Sequence, residues 1–362
     1  MSDASTTEGG LEELAEKFVS FSTLHCARSP LYRAITAAVA GDARALAMVA
    51  LVPKEQRVPN ILLAAVHDLL LAGVQHPLAH AYPSTGKPTT IEPEEAARLF
   101  LDFCAKHQAD LAPILASRAT QTNEVGRAAV ILPALARLEA EGIERVALVD
   151  LGTSAGLNLC VDRYFVRYSD GTVAGDRASS VVVHSEFVGP KRPPLAAGLP
   201  RIEARVGMDR APLDLERAED RRWLLACLWP DQEERFARIR AAIDVAREVR
   251  PRVVVGVLPR DIEALVEHVD PALHIVFLTT WVLAYLSDDE RRAADAAIAR
   301  VGQRRDVSWI VAEVPPKLPF EAHGFEAHET VLATITHRAG VRRDVALARV
   351  HGHGTFVEWR AD

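Results

Sequence analysis

The sequence of 362 residues has few cysteines, no excess of basic residues and no long apolar run. Its four cysteines show no paired spacing, which argues against a zinc knuckle, a redox pair and a disulfide-rich secreted fold; they are Cys26, Cys104, Cys160 and Cys227. Lysine and arginine number 42 against 49 aspartates and glutamates, so the formal net charge is −7. A general nucleic-acid binder normally carries a basic stripe, and we therefore expect no nucleic-acid partner.

Membrane and export signals are also missing. The most apolar stretches, such as Ile61–Leu71, are too short to span a bilayer, so no membrane partner is expected. The first ten residues, MSDASTTEGG, are polar and acidic and do not resemble a signal peptide. With 49% apolar and 25% charged residues, the composition is that of an ordinary globular protein. The sequence predicts a soluble, cytoplasmic protein.

Up to about residue 142 the apolar residues recur at helical spacing, and no strand is indicated. The clearest helix is the segment NILLAAVHDLLLAG, in which Asn60 is a natural N-cap and Gly73 a natural end. A further helix is predicted over Asn123–Glu141. Residues 1–142 are therefore predicted to form an all-helical domain.

From Arg145 onwards, short β-branched runs alternate with helical segments, which predicts a parallel sheet covered on both faces. The runs YFVRY and VVVHSE are predicted to pair as a hairpin insertion around residues 164–188. The tail predicts antiparallel strands. Residues 143–362 are therefore predicted to form an α/β domain, whose core strands are RVALVDL, IEARVGM, RVVVGVL, HIVFLTT and VSWIVAEV.

The strongest chemical signal is the segment VDLGTSAGLNL, where a strand ends in Asp150 and a glycine turn leads to a helix near Leu157. A cofactor approaches the backbone closely only where a side chain is absent, and a helix N-terminus offers free N–H groups. The acid before Gly152 and Gly156 fits the loop of S-adenosylmethionine-dependent methyltransferases, in which it suits a cationic amino-acid tail. The dinucleotide fingerprint G-x-G-x-x-G is not met. The alternative is a tight turn without a ligand. Three further residues of this loop are predicted to bind the cofactor: Thr153, Ser154 and Asn158.

A second acid, at the end of the next core strand, should hold ribose hydroxyls. Asp209 ends the run IEARVGMD and is the preferred candidate, whereas Glu186 ends VVVHSE. The alternative for either residue is a solvated carboxylate.

Two other places could line the same site. The motif QTNEVGR offers Asn123 and Arg127 near the cofactor, although it could instead be a capped helix start, with Glu124 favourable to the helix dipole. Thr279, Thr280 and Trp281 lie at the end of the predicted strand HIVFLTT and are predicted to face the transferred methyl group.

Histidines offer a second kind of candidate. His67 is a candidate catalytic residue because a histidine titrates near neutrality, but its apolar helix also suits a core histidine. His351 and His353 flank Gly352; this pattern favours a turn over a metal site, and no metal is predicted.

These motifs make the chain similar to a bacterial family of uncharacterised proteins that resemble class I methyltransferases. The resemblance implies a Rossmann-like three-layer α/β sandwich with an N-terminal helical cap, and S-adenosylmethionine as cofactor. Val257 stands where an acid is implied, and Thr279–Thr280 where a histidine-serine pair is implied. The segments that carry the match include PNILLAAVHDLLL, QTNEVGRAAVILPAL, LVDLGTSAGLNLCVDRY, RVGMDRAPLDL, WLLACLWPDQEERFARI, WVLAYLS and HGTFVEW.

The expected function is therefore methyl transfer from S-adenosylmethionine to a small molecule, with the helical cap enclosing the acceptor. Two alternatives stay open. The departures at Val257 and Thr279 favour a ligand-binding protein that has lost catalysis, and a different nucleotide-cofactor enzyme, such as a nicotinamide oxidoreductase, is the other. A homodimer is also left open, since the sequence does not reveal the oligomeric state.

Overall fold

The structure, a computed structural model, describes residues 4–87 and 90–362. The chain divides into two compact units: Met1–Thr122 with Glu216–Ala237, and Asn123–Leu215 with Arg238–Asp362. Its α-helices are α1 (Ala4–Leu24), α2 (Pro30–Ala40), α3 (Ala43–Ala50), α4 (Pro59–Leu71), α5 (Pro93–Lys106), α6 (Gln108–Ser117), α7 (Ala128–Ala140), α8 (Ala218–Ala226), α9 (Glu233–Val249), α10 (Ile262–Val266) and α11 (Asp288–Arg304).

The first unit is helical and contains α1 to α6 and α8. The predicted helix around Asn60 is confirmed as α4, but its start was predicted wrongly: Pro59 occupies the first turn and Val58 the N-cap position. Proline fits there because the first helical N–H groups need no intrahelical acceptor. Among the described residues, no helix is both long and apolar enough to cross a membrane.

The second unit is built on one mixed sheet of eleven strands, in the order β3-β2-β4-β11-β10-β9-β8-β7-β1-β5-β6. The strands are β1 (Arg145–Leu151), β2 (Phe165–Tyr168), β3 (Val173–Gly175), β4 (Val182–Phe187), β5 (Arg201–Asp209), β6 (Arg252–Val255), β7 (His274–Thr280), β8 (Val307–Glu313), β9 (Thr330–Arg338), β10 (Val341–Val350) and β11 (Phe356–Trp359).

Five neighbouring strands, β6-β5-β1-β7-β8, run parallel, and the strand order reverses between β1 and β7. In open α/β sheets this reversal leaves a crevice at the carboxyl ends of the strands, where ligands bind. Strands β1, β7 and β8 are buried along nearly their whole length, which explains why they appear in the sequence as continuous apolar runs. The predicted antiparallel tail is confirmed, because β10 pairs antiparallel with both β9 and β11.

Two local predictions were wrong. The insertion is not a hairpin of β2 with β4: β2 forms its hairpin with β3, and β4 lies parallel to β2. In addition, a 3-10 turn at Val125–Arg127 precedes α7, so the helix predicted from Asn123 begins only at Ala128. Helix α7 belongs to the α/β unit, whereas the sequence groups it with the helical region.

Candidate functional site

The glycine loop follows β1 at the strand-order reversal. Gly152 and Gly156 have φ of +83° and +79°, which glycine adopts without strain. A Cβ atom on Gly152 would lie 2.7 Å from Cγ2 of Val282, so the turn after β7 also requires glycine there. The predicted helix at Leu157 is a pair of short 3-10 turns over Leu157–Arg163.

Asp150 points into a buried environment at the end of β1, with only 2% of its surface exposed. The Thr153 hydroxyl donates a hydrogen bond of 2.8 Å to Oδ2 of Asp150. Burial raises the pKa of the Asp150 carboxyl to about 7, although the Thr153 hydrogen bond and the charge of Arg127 act in the opposite direction. Near neutral pH the Asp150 carboxyl is therefore close to the midpoint of its titration.

Asp209 ends β5, the strand next to β1, as the sequence predicts. Its Oδ2 accepts a 2.8 Å hydrogen bond from the backbone N–H of Ser154, and its Oδ1 accepts one of 3.0 Å from Ala211. The carboxylate thus fixes the glycine loop. The alternative candidate, Glu186, lies in β4, which five strands separate from β1.

Two polar side-chain atoms of the glycine loop are buried. Within the described parts of the chain, neither the Ser154 hydroxyl nor Oδ1 of Asn158 has a hydrogen-bond partner. By contrast, the Asn123 side chain donates to the carbonyl of Thr153 and accepts from the N–H of Leu157, at 3.3 and 3.1 Å. Asn123 therefore holds the loop, whereas the Ser154 hydroxyl and Oδ1 of Asn158 are buried polar atoms that the described residues leave unsatisfied.

Arg127, the last residue of the 3-10 turn before α7, contacts the end of β7. Its Nη1 donates to the carbonyl and the hydroxyl of Thr280, at 3.0 and 3.1 Å, and its guanidinium stacks on the Trp281 ring. The Thr279 hydroxyl accepts from Nε1 of Trp309. The structure thus brings Arg127, Thr280 and Trp281 together, and gives Thr279 a core contact.

Sequence reasoning missed Glu313, the last residue of β8. Its Oε1 accepts a 2.6 Å hydrogen bond from the N–H of Leu283, whereas Oε2 is buried and has no partner among the residues described. Burial raises the pKa of the Glu313 carboxyl to about 7, against backbone N–H groups and the charge of Arg127. The signal was present, since Glu313 ends a buried strand just as Asp150 does.

A contact between Glu124 and His353 was also not predicted from the sequence. Oε2 of Glu124 lies 2.8 Å from Nδ1 of His353, although the two residues are 229 positions apart in sequence. From the sequence, Glu124 belongs to a motif expected near the cofactor, with a capped helix start as the alternative, and His353 was expected to form a turn.

The model of a bacterial family described as "Uncharacterized protein conserved in bacteria (DUF2332)" matches residues 15–359. The chain belongs to this family. No curated protein and no solved structure matches the chain significantly. The predicted membership in an uncharacterised bacterial family is thus confirmed, and the link to methyltransferases stays a prediction.

His67, the remaining candidate catalytic residue, lies in the helical unit of this DUF2332 chain, and its side chain is fully buried. Its Nδ1 contacts the carbonyl of Ala226 at 3.1 Å and its Nε2 the hydroxyl of Ser84 at 2.7 Å. Burial lowers the pKa of the His67 imidazole to about 4. Both ring nitrogens are therefore engaged and the ring stays neutral at pH 7, as in a core histidine.

Two further surfaces of the DUF2332 chain bear on ligand binding. A depression of about 550 Å³ lies near Arg201, at the amino end of β5 and thus away from the glycine loop. At the carboxyl end of β6, Val255 is 75% exposed and lies directly opposite Asp209 in the sheet. Among the described residues, no group of three or more histidines, cysteines or acids could hold a metal ion.

Proposed function

We propose that this chain is an S-adenosylmethionine-dependent methyltransferase, with its cofactor at the carboxyl ends of β1, β5 and β6. The observation that carries the proposal is the pair of buried atoms without partners, the Ser154 hydroxyl and Oδ1 of Asn158, in an acid-tipped glycine loop. A buried polar group without a hydrogen bond costs about 1–3 kcal/mol, so a ligand that supplies the missing bonds is favoured.

The residues present fit the parts of the proposed cofactor. Asp150, buried and with a pKa of about 7, would accept the amino group of the methionine part and would become fully ionised when that cation binds. Asp209 retains lone pairs for ribose hydroxyls after accepting its two backbone bonds. The exposed Val255 beside Asp209 offers an apolar surface to the adenine, where Val257 replaces the acid that the resemblance implies.

The bound cofactor would supply a methyl group attached to a positively charged sulfur. The protein's contribution is then to align the acceptor with that methyl group and to exclude water. In the proposal, Thr280 and Trp281 face the methyl group, and Arg127 holds both in place. A small molecule as acceptor stays part of the proposal.

A ligand-binding protein without catalysis is the second candidate, and one observation favours it. The last two residues of β7 are threonines whose hydroxyls already accept hydrogen bonds, Thr279 from Trp309 and Thr280 from Arg127. A neutral hydroxyl is a very weak base, and accepting such a bond weakens it further, so neither threonine fits the role of a base for the acceptor.

Calorimetric titration tests the proposal, with S-adenosylmethionine and S-adenosylhomocysteine as ligands and NAD and ATP as controls. We expect micromolar binding of the two sulfur compounds alone, and a loss of at least tenfold in Asp150→Asn. The matched control is Asp170→Asn, an exposed acid between β2 and β3, which should bind as the wild type does. Binding of NAD in preference, or no binding of the sulfur compounds, would contradict the cofactor assignment.

A further inference from the structure

The Glu124 carboxylate is completely buried and is held in one orientation. Its Oε1 accepts a 2.9 Å hydrogen bond from the N–H of Gly126, and Nη2 of Arg238 lies 3.7 Å from the same oxygen. The other oxygen, Oε2, lies 2.8 Å from Nδ1 of His353. A buried acid with one oxygen committed to the backbone is a rigid acceptor for the imidazole.

This contact determines which nitrogen of His353 carries the proton. Because a carboxylate accepts, Nδ1 must donate, and the neutral ring then has its lone pair on Nε2. The side chain of His353 is 51% exposed, in contrast to the buried Glu124. The imidazole is thus oriented by a buried acid and is partly exposed, with its lone pair on Nε2, as in the histidine-acid part of a catalytic triad.

The backbone segments that carry Glu124 and His353 approach each other closely. A Cβ atom on Gly126 would lie 2.3 Å from the carbonyl oxygen of His353, and one on Gly354 would lie 1.9 Å from the carbonyl oxygen of Gly126. Only glycine at both positions lets the two loops approach so closely.

The same loop reaches the residues proposed for methyl transfer. Nε of Arg127 donates to the carbonyl of Gly352 at 3.3 Å, and a Cβ atom on Gly352 would lie 3.6 Å from the Trp281 ring. His353 therefore follows directly after a residue packed on Trp281.

We infer that His353 is the general base of the reaction, positioned by Glu124, and that the acceptor is a molecule whose nucleophilic oxygen or nitrogen carries a proton. This inference rests on the proposed function. In the step, the acceptor's proton moves to Nε2 of His353 while its oxygen or nitrogen bonds to the methyl carbon. The methyl–sulfur bond breaks and its electron pair stays on sulfur, which becomes a neutral thioether. The positive charge passes to the imidazolium, beside the Glu124 carboxylate.

Two further side chains lie close to this pair. Nη2 of Arg238 lies 3.7 Å from Oε1 of Glu124. Nδ1 of His351 accepts a hydrogen bond from the N–H of His353, and the two imidazole ring centroids lie 5.6 Å apart.

The test measures conversion of S-adenosylmethionine to S-adenosylhomocysteine by the full chain with two acceptor sets. One set contains phenols, catechols and primary amines, and the other contains pyridines and thioethers, which have no proton to lose. His353→Gln is compared with His323→Gln, an exposed histidine that also lies near a glutamate, Glu321. Calorimetry with S-adenosylmethionine accompanies every variant.

We expect products from the proton-bearing set, a loss of at least about 100-fold in His353→Gln, and turnover within twofold of wild type in His323→Gln. Cofactor affinity should stay within twofold in both variants. Turnover of His353→Gln within twofold of wild type, products only from the proton-free set, or no product despite cofactor binding would each overturn the assignment. Absence of cofactor binding in the wild type would instead reveal the failure of the proposed function, and the inference would fall with it.

Nitrogen-15 spectra of histidine-labelled protein test the positioning role of Glu124 without any acceptor. We expect the neutral His353 ring to carry its proton on Nδ1, and Glu124→Gln to mix the two tautomers and to lower turnover at least tenfold. A ring protonated mainly on Nε2 in the wild type would contradict the pairing.

Discussion

The guanidinium carbon of Arg127 lies 4.5 Å from the centroid of the Trp281 ring, and this contact fixes the turn after β7. Trp281 has a φ of +56°, a conformation that costs a residue other than glycine about 1 kcal/mol or more. The stacking and the two Arg127 bonds to Thr280 offset that cost. Arg127 thus holds the strained turn that lies against Gly152.

Replacing Arg127 by methionine should therefore destabilise the protein. The carbonyls of Thr280 and Gly352 would lose their charged donor, and we expect the free energy of unfolding to fall by about 3 kcal/mol. The control is Arg98→Met, which removes an exposed guanidinium paired with Glu95 and should change the free energy by less than about 0.5 kcal/mol. Urea unfolding measures both, and equal small effects would show that the buried contacts of Arg127 contribute little.

The raised pKa of Asp150 predicts an unusual pH dependence. Between its ordinary value of 3.8 and its folded value of about 7, the folded protein holds a proton that the unfolded chain releases. The contribution of the Asp150 carboxyl to the free energy of unfolding is therefore fully present below about pH 4. It is lost as the pH rises through the folded pKa of about 7. Between pH 5 and pH 8, the free energy of unfolding of the wild type should fall relative to Asp150→Asn by roughly 2 kcal/mol.

Urea unfolding of both proteins at pH 5 and pH 8 checks this difference. Asp170 provides the comparison, because its hydrogen bond with Arg192 lowers its pKa and it is ionised in both states above pH 5. The difference between the wild type and Asp170→Asn should therefore stay constant with pH. A constant difference for Asp150→Asn as well would show that Asp150 is ionised in the folded protein at pH 5.

Gly152 predicts a stability effect with two separable causes. Gly152→Ala forces alanine to a φ of +83° and places Cβ 2.7 Å from Val282, whereas Gly142→Ala has a φ of +84° with no atom within 4 Å. We expect a loss of about 1 kcal/mol in Gly142→Ala and of about 3 kcal/mol in Gly152→Ala. Adding Val282→Ala should recover part of the larger loss but not the conformational part. Equal losses at both glycines would mean that the Val282 contact relaxes without cost.

The glycine loop could be predicted from sequence because its signals are local. Asp150, Gly152 and Gly156 are within seven residues, and the apolar strand before them indicates the turn. The same reasoning, applied to the acid that ends β8, would have found Glu313. By contrast, the position of β4 parallel to β2 depends on where the tail strand β11 pairs, which no local pattern contains.

The pair of Glu124 and His353 could not be predicted for a related reason. Its two residues come from opposite ends of the α/β unit and meet only when the sheet has formed. Their sequence surroundings favour ordinary structures, a capped helix start and a histidine-glycine turn. The close approach of Gly126 and Gly354 has no signature in composition or periodicity, since each glycine alone is compatible with any turn.

Substitution of Ser154 should affect protein stability and cofactor binding differently. Its hydroxyl is buried without a partner in the part of the chain described, whereas the buried hydroxyl of Ser308 contacts Nε2 of His274 at 2.8 Å. Ser308→Ala should therefore lower the free energy of unfolding by about 1–2 kcal/mol, while Ser154→Ala should leave it unchanged or raise it by about 1 kcal/mol.

If the hydroxyl of Ser154 binds the cofactor, Ser154→Ala should weaken binding of S-adenosylmethionine roughly tenfold, equal to about 1.4 kcal/mol. Urea unfolding and calorimetry on the two variants give both numbers. A loss of stability in Ser154→Ala as large as that in Ser308→Ala would show that the hydroxyl is already bonded within the protein, and unchanged affinity would remove Ser154 from the cofactor site.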